Sequence, residues 1–379
     1  MKKSITFVLT LAAAASLLAG CGAKKGTEEA TQNITGQKEE TAQDQTETQE
    51  AANYSVALMI PGNLGDKSFF DAAYNSIDLL KEELGVSVDY VEAGTDSSKY
   101  YATYVDLCEQ SYDLILTVSG EGNDALVEAA EEFPEQKFIN LDDTLDDLPE
   151  NVYVMAPRNN EMSFLAGTVA ALKAEELGES VIGFIGGMDI PGINEFLVGY
   201  IEGAQYITPE IKVSSSYVGS FTDTAKGKEN AILMYNSGVS VIFTAAGQSG
   251  LGVIDAAKEK GKLVIGVDSD QAEALKDSQP ELAETIITSA IKNIDADALY
   301  IVDKAMKGEV TYGVRELYGI DKGAVGIAQN EYYEKLMTKE NRDKVDEIIE
   351  KVKKGEVEMS DTSGMTTEEL EKIRDTVRP

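Results

Sequence analysis

The sequence of 379 residues contains no histidine and no tryptophan, and it has two cysteines. Without histidine there is no Ser-His-Asp or Cys-His arrangement, no imidazole base for neutral pH and no His-ligated metal. Carboxylate or lysine catalysis stays open but is not favoured. Because tryptophan is missing, any aromatic stacking must come from Phe and Tyr. We therefore expect a binding protein that is not an enzyme and that has no cofactor and no metal.

Basic residues are scarce, with 33 Lys and Arg against 67 Asp and Glu and a formal net charge of -34. So acidic a surface repels phosphate backbones and anionic membranes, which argues against nucleic-acid binding. A disulfide framework is excluded if Cys21 carries a lipid, since Cys108 then has no partner. Cys108 lies in an apolar stretch with helical spacing, and we interpret it as a small buried hydrophobic residue.

The N-terminus has the parts of a bacterial export signal: a basic start, an apolar run from Ile5 to Leu18 and a small-residue cleavage site. The apolar run is shorter than the roughly 20 residues of a membrane-spanning helix. Residues 18–21, Leu-Ala-Gly-Cys, resemble a lipobox. In such a signal the cysteine is lipidated and becomes the first residue of the mature protein. We predict a lipoprotein signal peptide over residues 1–20 and a lipid anchor at Cys21. An ordinary secretory signal with a chance cysteine is the alternative.

Residues 22–53 contain no aromatic side chain and almost no aliphatic ones. Such a segment cannot bury enough apolar surface to offset the entropy of ordering. We therefore expect the lipidated Cys21 and the following residues, 21–53, to form a disordered tether. With this leader and tether, the protein would be held on the extracytoplasmic face of the cell membrane.

From Tyr54 onward, short apolar strands alternate with amphipathic helices, and the alternation restarts after a long helix at Glu161–Leu177. Near-continuous apolar strands separated by helices are typical of parallel sheets covered on both faces. We predict an α/β fold of two doubly wound parallel-sheet lobes with a ligand cleft between them. The predicted N-terminal lobe comprises 54–160 plus 289–308, and the C-terminal lobe comprises 161–288 plus 309–379. Two independent domains without a shared cleft are the alternative.

The first polar turn of this pattern, 61–71, follows the first strand and opens a helix. Its glycines allow a tight turn with exposed backbone amides, but their spacing is not that of a phosphate-binding loop. Asp66 or Ser68 could cap the helix or face a ligand. At most one of the adjacent Phe69 and Phe70 can point into the core, so the other could form a flat wall of the cleft.

Other candidate residues also follow predicted strands. Asp124 heads a helix and either caps it or contacts a ligand, and Gly247 lies in a small-residue turn. Asp268 and Asp270 end a strand, where carboxylates can accept hydrogen bonds from sugar hydroxyls. They could instead bind Ca²⁺, but their neighbours lack the oxygen-ligand spacing of a calcium loop. Lys292 lies near a predicted crossover, where it could pair with these carboxylates or donate to a ligand.

Five motifs in order resemble the basic membrane protein (BMP) family, the substrate-binding lipoproteins of ABC transporters whose best-known members are purine nucleoside receptors. Each motif alone is weak, but together they span about Ser55 to Lys353. They are Asp66-Lys67-Ser68-Phe69, Ser163-Phe164-Leu165-Ala166-Gly167, Gly183-Phe184-Ile185-Gly186-Gly187-Met188-Asp189-Ile190-Pro191, Gly266-Val267-Asp268-Ser269-Asp270-Gln271 and Thr288-Ser289-Ala290-Ile291-Lys292.

The resemblance implies a type I periplasmic-binding-protein fold and a monomer that binds a nucleoside-like small molecule and delivers it to an ABC permease. A nucleobase would stack between Phe69 and Phe196. The ligand-binding residues that the resemblance and the turns together predict are Asp66, Phe69, Asp124, Phe196, Gly247, Asp268, Asp270 and Lys292. Among these, Asp124 would bind the base edge, Asp268, Asp270 and Lys292 would hold the ribose, and the Gly247 backbone would close over it.

The chain departs from the family pattern in the ligand-facing turn. An aspartate usual before the first motif is replaced by the stretch Ile60-Pro61-Gly62, and Phe70 stands where an Asn is usual. A receptor of the same fold for a sugar or a modified nucleoside is therefore an alternative. A nucleoside hydrolase using Asp268 and Asp270 is another. A DNA-binding regulator of this fold is disfavoured by the export signal and by the lack of a DNA-binding headpiece.

Overall fold

The computed structural model describes residues 54–362 and 364–379. The predicted signal peptide 1–20, the lipidation site Cys21 and the tether 21–53 lie outside the described residues. The described chain forms two six-stranded sheets with helices between the strands, so the predicted α/β class with two doubly wound lobes is confirmed. We name the lobe around the sheet nearer the N-terminus the first lobe and the other the second lobe.

The strands and helices alternate along the chain. The strands are β1 Ser55–Ile60, β2 Ser87–Glu92, β3 Leu114–Thr117, β4 Phe138–Asn140, β5 Val152–Pro157, β6 Val181–Gly186, β7 Lys212–Tyr217, β8 Val241–Ala245, β9 Leu263–Asp268, β10 Ile286–Lys292, β11 Val314–Tyr318 and β12 Val325–Ile327. The helices are α1 Phe69–Leu84, α2 Tyr100–Glu109, α3 Asn123–Glu132, α4 Asn159–Leu177, α5 Pro191–Ile207, α6 Thr224–Asn236, α7 Ser249–Lys260, α8 Gln271–Leu275, α9 Pro280–Ala283, α10 Ile294–Met306, α11 Glu331–Leu336, α12 Lys339–Lys353 and α13 Thr367–Val377.

The first sheet has the order β11-β5-β4-β3-β1-β2, and its neighbouring strands are parallel. Its inner strands are mostly apolar and almost entirely buried because both faces of the sheet are covered. Helices α1 and α10 pack on one face, and α2 and α3 pack on the other. Cys108 is buried on α2, as the sequence predicted.

The second sheet has the order β12-β10-β9-β8-β6-β7, with β12 antiparallel to β10. Helices α4 and α5 cover one face, and α6 and α7 cover the other. The pair α4 and α5 approaches so closely that glycine is required at their contact. A Cβ on Gly203 would lie 1.9 Å from the Phe164 carbonyl oxygen, and one on Gly167 would lie 2.1 Å from that of Tyr200. This tight pair supports the wall of the cleft described below.

The sheet memberships of two strands differ from the predicted lobe bounds. The prediction places residues from 289 in the first lobe, but all of β10 pairs within the second sheet. The prediction also places 309–379 in the second lobe, but β11 pairs with β5 at the edge of the first sheet. Both strands lie next to a crossover between the lobes, so hydrophobic pattern alone does not assign them to a sheet. The chain crosses between sheets after β5, after β10 and after β11.

The C-terminal residues complete the second lobe. Helix α12 packs against α4, and α13 lies against β7 and α5. None of the helices in the described part of the chain is both long and apolar enough to cross a membrane.

Candidate functional site

A cavity of about 540 Å³ lies between the two lobes, where the carboxyl ends of parallel strands from both sheets meet. The turns after β1, β3 and β4 form its first-lobe side, and those after β6, β8 and β9 form its second-lobe side. Such an edge is where open α/β sheets bind ligands, and the volume suits a small organic molecule.

Lys292, at the end of β10, lies between the two lobes. Its Nζ is 5.0 Å from the ring centroid of Phe69 and 5.0 Å from that of Phe196. The two centroids are therefore no more than twice that distance apart. A flat ring inserted between two others needs a separation of about 7–8 Å, twice the contact distance of carbon atoms. A separation of that size falls within this limit, and the two phenylalanines come from different lobes.

The Lys292 ammonium is buried, with 5% of its side chain exposed, and it pairs with two carboxylates. Its Nζ lies 2.5 Å from Asp142 Oδ2 and 3.5 Å from Asp268 Oδ1. Burial alone would lower the pKa of Lys292, but Asp142 and Asp268 raise it above its ordinary value. The site therefore keeps a fixed positive charge beside the two rings, with one carboxylate from each lobe.

The wall that carries Phe69 is the first turn of α1. The Asp66 carboxylate accepts backbone N–H groups of Ser68 at 3.0 Å, Phe70 at 2.9 Å and Asp71 at 3.2 Å. Asp66 therefore caps the start of α1, while the Ser68 side chain makes no cap hydrogen bond. Burial raises the pKa of Asp66 to about 6 against these lowering contacts. Both Phe69 and Phe70 line the cavity, their centroids 5.4 Å apart.

The wall that carries Phe196 is the second turn of α5. Phe196 is 3% exposed and belongs to the second lobe's main hydrophobic core. Its ring centroid lies 6.2 Å from that of Phe243 on β8, at a tilt of 49°. Aromatic pairs at such separations add to the stability of a core. This side chain therefore lines the cavity and is also part of the core.

Two serines join the lobes across the cleft. Ser68 Oγ lies 2.7 Å from Asp268 Oδ2 and 3.1 Å from the Val267 carbonyl oxygen. Ser269 Oγ donates to the Lys67 carbonyl oxygen at 2.9 Å. Lys67 and Asp268 both have positive φ angles, 53° and 64°. For residues other than glycine this conformation costs on the order of 1–3 kcal/mol, and it often occurs at functional sites.

Six of the eight predicted ligand-binding residues line the cavity: Asp66, Phe69, Phe196, Gly247, Asp268 and Lys292. Asp124 and Asp270 are not among its described lining residues. Asp124 is exposed in the first turn of α3. Asp270 caps α8 by accepting the Glu273 N–H, and it also accepts the Asn330 amide at 2.8 and 2.9 Å. The two carboxylates proposed for a hydrolase therefore do not face one space.

Sequence reasoning missed the acidic pair that follows β4. Asp142 is the closer ion-pair partner of Lys292, and Asp143 also lines the cavity. The Asp143 carboxylate accepts the side-chain amides of Asn123 at 2.7 Å and Asn140 at 3.0 Å, and burial raises its pKa to about 6. The signal was present, since polar residues after a buried strand had identified the other turns. This signal is weaker here, because β4 has only three residues and further acidic residues follow in the same loop.

A cleft between two doubly wound lobes, lined by opposed aromatic rings and buried charges, is the architecture of a solute-binding protein. The chain belongs to the Bmp family, described as PnrA-like substrate-binding proteins of ABC transporters, whose model matches residues 53–361. The resemblance drawn from the five motifs is confirmed. Members of this family are substrate-binding proteins of ABC transporters.

Similar proteins come from distant organisms. The chain is 33% identical over 302 residues to "Basic membrane protein A1" of Borrelia garinii subsp. bavariensis, which covers 78% of this chain and 85% of that protein. It is 31% identical over 326 residues to "CD4+ T-cell-stimulating antigen" of Listeria monocytogenes. This match covers 81% of this chain and 88% of that protein.

A solved structure, that of an ABC transporter solute-binding protein from Aeropyrum pernix K1, has a TM-score of 0.74 and 25% identity to this chain. The match covers 86% of this chain and 99% of that one. A second, from Conexibacter woesei, has a TM-score of 0.66 and 19% identity, and it covers 82% of this chain and 99% of that one. Together with the sheet topology, these likenesses confirm the type I periplasmic-binding-protein fold.

Proposed function

We propose that this chain is the lipid-anchored, extracytoplasmic receptor of an ABC importer and that it captures a nucleoside, in particular a purine nucleoside. The observation that carries this proposal is the position of Lys292. Its ammonium is 5.0 Å from both phenylalanine rings and pairs with Asp268, so a stacking slot and a polar group are adjacent. A nucleoside has the same two parts, a flat base joined to a sugar with hydroxyls.

The chemistry of each part supports this ligand class. Stacking of a base on an aromatic ring contributes about 1–3 kcal/mol and depends little on which base it is. Asp268 can accept hydrogen bonds from sugar hydroxyls. In the structure it accepts one from the Ser68 hydroxyl, which the sugar hydroxyls would replace. A ligand without those hydroxyls would leave the carboxylate unpaired in a buried place, which disfavours deoxynucleosides and free bases.

The anchor and the partner follow from the leader and the family. The Leu-Ala-Gly-Cys sequence ending at Cys21 supports lipidation, and one relative, from Pyrococcus furiosus, is named an "Uncharacterized lipoprotein". That relative is 31% identical over 296 residues, 74% of this chain and 71% of its own length. A receptor held beside its permease would present captured nucleoside to it. Closure of the lobes, stabilised by the hydrogen bond from Ser269 to the Lys67 carbonyl oxygen, would retain the ligand until then.

The test is a thermal-shift measurement of the mature protein against ribonucleosides, 2′-deoxynucleosides, free bases and hexoses. A ribonucleoside at 100 times its dissociation constant should stabilise the fold by about 2.7 kcal/mol. Deoxynucleosides and bases should need higher concentrations for the same shift. If hexoses shift the melting temperature and no nucleoside does, the cleft belongs to a sugar receptor.

Two neighbouring aspartates offer a matched pair of variants. Asp268→Asn removes the charge that lines the cavity, and we expect ribonucleoside affinity to fall about 10- to 100-fold. Asp270→Asn changes a carboxylate that caps α8 outside the cavity, so affinity should stay within about twofold of the wild type. Equal losses in both variants would contradict the proposed role of Asp268.

A further inference from the structure

The chain continues past the region that defines its family. The family match ends at residue 361, whereas α13 spans Thr367–Val377. This helix has its own start signal, a capping box in which the side chains of Thr366 and Glu369 bond to each other's backbone N–H groups. We name residues 360–379 the C-terminal segment. Its contacts connect it to the helices and the turn that form the second-lobe side of the cleft.

The stretch before α13 is held against the helices that support the cleft. Ser360 donates from its backbone N to Glu202 Oε2 at 3.1 Å and from its Oγ to Glu202 Oε1 at 2.5 Å. The Asn160 side-chain amide donates to the Ser360 carbonyl oxygen at 3.3 Å. Glu202 lies on α5 and Asn160 on α4, so the C-terminal segment crosses both members of the glycine-packed pair.

Arg374 connects α13 to the cleft. Its guanidinium bonds to both Asp189 oxygens, Nη1 to Oδ2 at 3.2 Å and Nη2 to Oδ1 at 3.0 Å. Nη2 also lies 3.0 Å from Asn194 Oδ1 and 2.5 Å from the Tyr217 hydroxyl. The guanidinium carbon is 4.9 Å from the Tyr217 ring centroid. Arg374 makes a bidentate pair of the strong kind, in which 10% of the arginine side chain and 51% of the Asp189 side chain are exposed.

Arg374 binds the segment 187–193, which comprises the turn after β6 and the first three residues of α5 and which we name the rim. Met188 and Ile190 of the rim line the cavity, and Asp189 between them turns the other way, to Arg374. Asp189 is the one polar side chain within the rim's sequence. Asn194, the next residue, lies in the first turn of α5 and donates to Asp189 at 2.9 Å. Phe196 follows two residues later, so one guanidinium contacts both the rim and the start of the helix that carries the aromatic wall.

The backbone alone holds the rim by few contacts. Gly187 bonds to β8 through its N–H at 2.9 Å and accepts N–H groups of Gly219 and Ser220, and Ile193 bonds back to Ile190. These bonds lie at the two ends of the turn and leave the cavity-facing middle to Asp189. A turn with two glycines and exposed apolar side chains has many alternative conformations once its side-chain anchor is lost.

We propose that Arg374 is a positioning residue that fixes the rim and the first turn of α5, so that the C-terminal segment sets how long the cleft retains its ligand. The effect on retention rests on the proposed function, with a nucleoside as the probe. The effect on the rim does not, because it is a property of the ligand-free protein. A rim that loses this anchor leaves the cleft open more often, so we expect the change to appear mainly in the dissociation rate of the ligand.

Four variants of the full chain test this proposal. Arg374→Ala removes the guanidinium, Arg374→Lys keeps the charge but not the fork, and Asp189→Asn changes the partner. Arg378→Ala is the matched control, an arginine next to the same helix whose pair with Asp375 is 62% and 61% exposed. Amide hydrogen exchange is measured in the ligand-free protein, and nucleoside dissociation is measured by stopped flow.

In Arg374→Ala and Asp189→Asn, rim amides should exchange about tenfold faster than in the wild type. Nucleoside dissociation should accelerate by about tenfold, with a smaller change in the association rate. Arg374→Lys should lie between, and Arg378→Ala should match the wild type in both measurements.

Faster exchange spread evenly over the second lobe, without a larger effect at the rim, would show that Arg374 stabilises the lobe only and would overturn the proposal. Unchanged rim exchange in Arg374→Ala would also overturn it. If the wild type binds no nucleoside while the rim still responds as expected, the nucleoside assignment fails and the positioning role of Arg374 at the rim stands.

Discussion

The two phenylalanine walls of the cleft are alike in place but differ in what holds them. Phe69 begins α1, is half-buried, and follows a turn whose backbone is held by Asp66 and Asp71. Phe196 is 3% exposed and lies in the aromatic core with Phe243. Its helix α5 also packs on α4 through glycines.

This difference separates the two tasks of an aromatic side chain in a binding site. A ring that is buried without ligand contributes to folding whether or not a ligand is present. A ring that is only partly buried contributes less to folding, and a ligand can cover the apolar surface that it still exposes. The second lobe thus provides a preformed wall, and the first lobe provides a wall that completes its packing on the ligand.

The largest effect is expected at Lys292, which lies beside both walls. Lys292→Met leaves Asp142 and Asp268 as buried carboxylates without a cation, and we expect the free energy of unfolding to fall by about 3–5 kcal/mol at pH 8. Nucleoside binding should be lost as well. Chemical denaturation and titration calorimetry check the two expectations.

Lys228 is the control for this substitution because it also bridges two carboxylates. Its Nζ is 2.7 Å from Asp255 and 2.9 Å from Glu259, but 33% of the lysine side chain and about half of each partner are exposed. Exposed pairs of this kind contribute about 0–1 kcal/mol, so Lys228→Met should change stability by less than that. If Lys292→Met and Lys228→Met lowered the free energy of unfolding by similar amounts, burial would not be the reason that Lys292 stabilises the fold.

The next effect compares two phenylalanines of the second lobe. Phe196→Ala should lower the free energy of unfolding by about 3–4 kcal/mol, because it removes a core ring, and should also weaken nucleoside binding. Phe164→Ala removes a ring that is 1% exposed in the same core but does not line the cavity. It should cost similar stability and leave affinity unchanged when measured well below the melting temperature.

The counterpart in the first lobe should show the reverse balance. Phe69→Ala should weaken nucleoside binding by about 1–3 kcal/mol, the range of one base–aromatic stack, and lower the unfolding free energy by less than about 1 kcal/mol. Calorimetric titration and denaturation measure both. Unchanged affinity would mean that Phe69 is not the first-lobe wall. The neighbouring ring of Phe70 also lines the cavity, so Phe70→Ala should then be the variant that weakens nucleoside binding.

The contrast between the lobes also shows what the sequence could predict. Strand and helix order followed from apolar runs and helical spacing. Glycine-rich or acidic turns after strands located Phe69 and Asp268, and a predicted crossover between lobes located Lys292. The sheet membership of β10 and β11 was not predictable, because a strand next to a crossover between lobes carries no local signal of its partner. The sequence placed Asp270 in the cleft with Asp268, because two carboxylates two residues apart look equivalent in sequence. In the structure Asp270 caps the start of α8 and does not line the cavity.

Contacts between distant segments were beyond sequence reasoning. Arg374 meets Asp189 across 185 residues, and Lys292 meets Asp142 across 150. Charged side chains in helices and loops are usually solvated, so nothing in the pattern around Arg374 distinguished it from Arg378. What distinguishes it is the burial that the packing of α13 on β7 and α5 creates.

The smallest effect concerns Asp297, a buried carboxylate without a lysine partner such as the one that Asp268 has in Lys292. Asp297, on α10, is 8% exposed, and among the described residues its carboxylate has no cation or hydrogen-bond donor within bonding distance. Burial, with repulsion from Asp295 and Asp142, raises the pKa of Asp297 from 3.8 to about 7. The charged form is thus disfavoured in the folded state, the opposite of a carboxylate that a lysine stabilises.

We therefore expect Asp297→Asn to stabilise the protein by about 1–2 kcal/mol at pH 8, because the cost of charging is removed while the buried amide offsets part of the gain. Since the folded pKa lies above the unfolded one, this cost is absent below about pH 4, grows as the pH rises and is complete above about pH 7. The advantage of the variant should shrink in the same way as the pH falls, as denaturation at pH 8, 6 and 4 would show. Asp295→Asn, in the same helical turn but less buried, should change stability by less than about 0.5 kcal/mol at each pH. An advantage of Asp297→Asn that stays constant with pH would mean that it comes from packing and not from the buried charge.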